Sequence, residues 1–181
     1  MHGTIFVELE KFVTAQLGEG AWGKVKAEAG VSAARSYRPS FIYPDEELVK
    51  LVEAGSRITG IPMPALLEAY GEFIAPDLLE MYWGAIEPEW KTLDVIEHTE
   101  STIHTVVRVD HKGAMPPYLH AERRGPNEVA VTYTSPRKLC TVARGISRGI
   151  AKHYGETLEI EDVRCMHRGD EDCLMIMRTK A

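Results

Sequence analysis

The stretch "GAMPPYLHAERRGPNEVAVTYT", Gly113 to Thr134, is where the chain changes texture. Pro116 and Pro117 lack the amide hydrogens that a helix needs, and beyond them apolar and polar residues alternate in two runs, "YLHAERR" and "NEVAVTYT". Gly125-Pro126-Asn127 between the runs is a turn signal, so the stretch predicts a β-hairpin.

Upstream of it the spacing is helical. Ile5, Phe6, Leu9, Phe12, Val13 and Leu17 recur at intervals of three and four residues, and Gly18 ends that helix. A short second helix spans roughly Ala21 to Glu28, and a third starts at Pro44 with acids in its first turn. "PMPALLEAYGEFIAPDLLEMYWGAI" predicts two helical pieces divided near Pro76, and a fifth long helix covers about Lys91 to Val109. Downstream, a helix runs from Arg137 or Lys138 to Tyr154, and the strands "TLEIEDVRCM" and "CLMIMRT" flank a tight "HRGDED" turn. Helices, hairpin, helix, hairpin is the order of an α+β fold: a helical N-terminal lobe and a C-terminal lobe with one four-stranded antiparallel sheet plus helices.

A length of 181 residues suits one domain in two lobes, divided at about residue 60 into 1–60 and 61–181. The net charge of −6 offers no basic field to displace phosphate counterions, which argues against a nucleic-acid partner. Glu8, Glu10 and Lys11 interrupt the first apolar segment, and no run is long enough to span a membrane; the expectation is a cytoplasmic protein with no membrane partner. Three cysteines suit a reducing compartment better than a disulfide framework. Hydrolase, phosphate-loop and dinucleotide signatures are missing, so the chain reads as a non-enzyme.

Three groups of residues carry chemistry. Tyr133, Ser135 and Arg137 alternate at a strand end, so in extended chain they share one side and offer three donors and a permanent positive charge to an acidic ligand. The bland alternative is a surface strand end with a packed Tyr and a capping Arg. His104 lies late on a helix, near the junction of the two halves, at the boundary of the apolar face with Glu97 and Glu100 close by. Most histidines are not ligands, and His98 lies about 120° round the same helix, so the two would not share a metal. Cys165 and Cys173 flank the last turn and Cys140 follows the Tyr-x-Ser-x-Arg stretch, so three thiolates with Asp162 or His167 could hold a four-coordinate zinc. Buried free cysteines or a redox pair are the alternatives.

Together, the opening "MHGTIFVELEKFV", His104 late on a helix, the "PPYL" after it and "YTSPRK" resemble the haem nitric oxide/oxygen-binding (H-NOX) family, over essentially the whole chain. The resemblance implies one haem b, held non-covalently between two lobes. It makes His104 the proximal iron ligand, Tyr133, Ser135 and Arg137 the propionate clamp, and Pro117 the proline that packs on the macrocycle and distorts it. Ile5, Leu9, Ile74, Val142 and Ile146 correspond to the distal pocket. Oxygen-binding relatives place a tyrosine, a tryptophan and an asparagine at positions matching Val142, Leu9 and Ile74; all three are apolar here, which implies a sensor of nitric oxide and carbon monoxide that excludes oxygen.

Some relatives hold zinc at positions like Cys140, Cys165 and Cys173, with a histidine where this chain has Asp162. The implied output is regulation of a partner, a histidine kinase or a cyclic-dinucleotide enzyme, through release of His104. Two rivals are a haem-free small-molecule, redox or zinc module similar to vinyl-reductase-type domains, whose hairpin "CMHRGDEDC" resembles, and a peroxidase-like haem enzyme, which would want a distal His/Arg pair that is not found.

Overall fold

The computed structural model describes residues 1–180. Its contacts divide the chain into two compact units, Met1–Tyr70 and the remainder from Gly71 onward.

The first unit holds α1 (Gly3–Leu17), α2 (Ala21–Glu28), α3 (Asp45–Thr59) and the first eight residues of α4 (Met63–Met81). The phenyl ring of Phe6 stacks on Tyr37 at 4.5 Å between centroids, with Tyr43 and Trp22 set edge-on to Tyr37. Both Arg35 and Tyr37 donate to Glu47 at the start of α3: Arg35 Nε and Nη2 at 2.9 Å, and the Tyr37 hydroxyl at 2.5 Å. Gly3 makes this closure possible, because a Cβ there would overlap the carbonyl oxygen of Arg38.

The second unit continues α4 into a 3₁₀ turn (Trp83–Ala85), then α5 (Thr92–His98) and α6 (Ile103–Asp110). Strands β1 (Tyr118–Gly125) and β2 (Glu128–Thr134) form the expected hairpin, α7 (Cys140–His153) follows, and β3 (Thr157–Arg164) and β4 (Cys173–Lys180) form the second hairpin. The four strands make one antiparallel sheet in the order β1-β2-β4-β3. Its core gathers Val129 and Val131 of β2, Met175 and Met177 of β4, Leu93, Val95 and Ile96 of α5, and Ile150 and Ala151 of α7. Each such side chain removed from water contributes on the order of 1.5–3 kcal/mol before entropy is counted. The predicted α+β architecture is what the chain adopts.

Three local expectations are corrected. Pro76 lies inside α4 and does not divide it. The carbonyl that Pro76 leaves without a helical partner is that of Glu72, and α7 packs against it there: a Cβ on Gly149 would stand 2.7 Å from the Glu72 oxygen. The long helix at Lys91–Val109 is two helices. In the break the hydroxyls of Thr99 and Thr102 donate to the carbonyls of Val95 (2.6 Å) and His98 (2.7 Å), competing with the amide ladder. His98 and His104 therefore sit on different helices, and His98 stacks on Trp90. Finally, α7 starts at Cys140, because Lys138 adopts a left-handed φ of 51° and its amide closes a turn on the Ser135 carbonyl at 3.1 Å.

Candidate functional site

His104 is on the first turn of α6, with its side chain 13% exposed. Its Nδ1 lies 2.9 Å from Oε2 of Glu100, which sits in the break between α5 and α6. A carboxylate only accepts, so Nδ1 carries the proton, and Nε2 of the neutral ring presents a lone pair. Burial lowers the His104 pKa, Glu100 works the other way, and the net result favours that neutral ring. Among the described residues Nε2 has no hydrogen bond.

Glu100 is the centre of the arrangement. It also accepts from Arg108 Nη2 at 2.6 Å and from the backbone amide of Leu119 at 3.1 Å. Burial would raise its pKa, but the hydrogen bonds from His104, Arg108 and Leu119 outweigh that and hold it below the usual carboxylate range. One side chain thus ties α6 to the first residues of β1, two positions beyond half-buried Pro117. The i,i+4 spacing of Glu100 and His104 is visible in sequence; the Leu119 amide, nineteen residues on, is not.

Tyr133 and Ser135 are buried, and Arg137 is partly so. β2 ends at Thr134, so strand alternation does not extend to Ser135 and Arg137, which lie in the turn closed by the Lys138 amide on the Ser135 carbonyl. Ser135 Oγ accepts from the Arg137 amide at 3.3 Å, and Arg137 Nη1 donates to the Met115 carbonyl at 2.6 Å, reaching the loop before Pro117. Burial pushes the Tyr133 hydroxyl up to about 12, against a smaller opposing influence of Ser135, so it stays protonated at neutral pH.

Val142 and Ile146 are half-buried on α7, and Ile74 is fully buried on α4. These helices meet through glycine, since a Cβ on Gly71 would overlap the carbonyl oxygen of Val142. Ile5 and Leu9 lie on α1 in the first unit, where the Ile5 carbonyl accepts from Tyr70 at 2.6 Å.

Cys140, Cys165 and Cys173 converge, with Cys165 Sγ 3.9 Å from Cys140 Sγ and 3.8 Å from Cys173 Sγ. Burial is the main influence raising the thiol pKa values of Cys140 and Cys173. Neither candidate for a fourth ligand joins them: Asp162 pairs with Arg144, and His167 Nε2 lies 2.7 Å from the Lys138 carbonyl. Tyr133 stands opposite Cys173 in the sheet register, so the thiol cluster adjoins the Tyr-Ser-Arg group.

The fold and site define an α+β domain with a neutral, largely buried imidazole whose Nε2 has no hydrogen bond among the described residues, and a Tyr-Ser-Arg group of the donor types that carboxylates take. That donor set fits a haem: an open Nε2 for the iron, and hydroxyls with a guanidinium for the propionates. The chain belongs to the haem-NO-binding family, HNOB, whose profile matches residues 2–162. It is 24% identical over 164 residues to soluble guanylate cyclase gcy-35 of Caenorhabditis elegans, covering 87% of this chain and 23% of the relative, so it spans about a quarter of that protein's length. Among solved structures, an H-NOX protein from S. oneidensis in the Fe(II)NO state superposes with a TM-score of 0.93 at 25% identity, over 100% of both chains. An unliganded Fe(II) H-NOX protein from K. algicida gives a TM-score of 0.89 at 21% identity, over 100% of this chain and 97% of that one, a likeness of fold. The family is one of haem-based gas sensors.

Proposed function

We propose that the chain is a haem b sensor that binds nitric oxide and carbon monoxide at ferrous iron ligated by His104, excludes oxygen, and regulates a partner signalling protein. The observation that carries this reading is the His104 ring itself, half-buried and neutral, with Nδ1 held by Glu100 and Nε2 open. Bound haem would supply the gas-binding chemistry, with His104 Nε2 as the protein ligand to its iron. Arg137, Ser135 and Tyr133 hold the propionates, and Pro117 packs on the macrocycle. Ile74 and Val142 are apolar and give bound oxygen no hydrogen-bond donor. Release of His104 frees α6, none of whose residues is buried, and the change in that helix is the signal. Its reader is a histidine kinase or a cyclic-dinucleotide enzyme.

Gas selectivity is tested by exposing the ferrous protein to air. The expected outcome is a spectrum that stays ferrous or slowly turns ferric; a stable oxy complex would refute oxygen exclusion.

The convergence of Cys140, Cys165 and Cys173 within 4.8 Å supports a second element, a structural zinc on these three thiolates, whose fourth ligand would be Asp162 or His167 only after it leaves Arg144 or the Lys138 carbonyl. Metal analysis of protein purified without a metal-affinity tag should find one equivalent; less than about half an equivalent contradicts a four-coordinate structural site.

A further inference from the structure

Glu100 is more than a neighbour of His104. Its two oxygens divide their partners: Oε2 takes the His104 ring at 2.9 Å and the Leu119 amide at 3.1 Å, and Oε1 takes Arg108 at 2.6 Å. A carboxylate on the far nitrogen of a metal-binding imidazole draws the N–H proton toward itself. The ring becomes more basic at Nε2, and its orientation is fixed. Arg108 opposes this, because a guanidinium on the other oxygen withdraws charge from the carboxylate. The strand amide anchors the whole assembly to β1.

We propose that Glu100 is the positioning residue that sets the strength of the iron–His104 bond, with Arg108 as its counterweight, and so sets how readily nitric oxide releases the histidine. This rests on the reading that His104 ligates haem iron. The pair works as a bias in opposite directions. A full carboxylate charge strengthens the bond and raises the threshold for release, and the Arg108 contact relaxes it. Leu119 makes the same carboxylate a link from α6 to the strand that follows Pro117, so the ligand helix and that strand are held by one side chain.

The test uses the full chain loaded with haem, reduced and free of gas, with resonance Raman spectroscopy reading the iron–imidazole stretch. Glu100→Gln keeps an acceptor but removes the charge; the band should move to lower frequency, and release of His104 on adding nitric oxide should speed up by roughly tenfold. Arg108→Ala should move the band to higher frequency and slow release. Opposite shifts from two substitutions around one carboxylate are not what general loosening of α6 produces. If Glu100→Gln does not fold, the upward shift in Arg108→Ala carries the test alone. An iron–imidazole band present in the parent protein but unmoved by both substitutions overturns the role of Glu100 while leaving His104 as ligand. No iron–imidazole band in the parent protein overturns the haem reading itself.

Discussion

Two carboxylates, Glu47 in the first unit and Glu100 in the second, are built alike and differ in what they leave open. Glu47 accepts from Arg35 twice and from Tyr37, and the aromatic rings of Tyr37, Phe6 and Tyr43 pack beside it. Both oxygens of Glu47 are taken by side chains of the same unit, and the result is a structural knot. Glu100 also has three donors, but one of them is His104, whose second nitrogen has no hydrogen bond among the described residues. Hydrogen bonds alone do not separate a structural site from a functional one; the atom left available at the end of the network does.

That contrast can be broken most easily by deletion. Glu47→Ala leaves the Tyr37 hydroxyl and the Arg35 guanidinium without their acceptor in a packed region, and should cost about 2–3 kcal/mol in chemical denaturation. A loss below about 0.5 kcal/mol would remove the knot from the account. Acid should act more mildly through the same group. Burial would raise the Glu47 pKa, but the bonds from Arg35 and Tyr37 outweigh it and bring it below the ordinary 4.5. Its contribution is therefore present above about pH 4.5 and lost as pH falls through the lower folded value. Glu47→Gln should flatten that part of the stability-against-pH curve, and an unchanged curve would assign acid unfolding to other groups. Tyr37→Phe, which removes one hydroxyl and keeps the ring stack, should cost about 1 kcal/mol.

Glu100→Ala should have the smallest effect on folding, within about 1 kcal/mol, because α6 has no buried residue for it to hold in a core. A loss as large as that of Glu47→Ala would make Glu100 a structural knot too, and erase the distinction.

α5 and α6 show why part of this was legible in sequence and part was not. The hairpins declare themselves through alternation and turn residues, and α1 ends at the glycine signal expected of it. Residues 99–102 are Thr-Glu-Ser-Thr, a polar interruption between Ile96 and Ile103 that a continuous helix could equally carry on its outer face, so it gives no sign that Thr99 and Thr102 turn their hydroxyls onto Val95 and His98 where the helix splits. Pro76 differs in the other direction: α4 runs on through it, and α7 comes close to the Glu72 carbonyl there through Gly149, more than seventy residues away. Likewise, the gathering of Cys140 with Cys165 and Cys173 depends on where α7 lies against the last hairpin, although its chemistry could be named from the residue types. Motif order singled out His104, Tyr133, Ser135 and Arg137. The hold of Glu100 on Leu119, and of Arg137 on Met115, belongs to the folded chain alone.

The central claim is that His104 Nε2 is the protein ligand to haem iron. Resonance Raman spectra of the ferrous, gas-free protein produced with haem supply test it most directly, in the parent chain and in His104→Gly. The account predicts an iron–imidazole band in the parent, its loss in His104→Gly, and its return when free imidazole is added to that variant. A colourless parent protein, or a band that survives in His104→Gly, would contradict it.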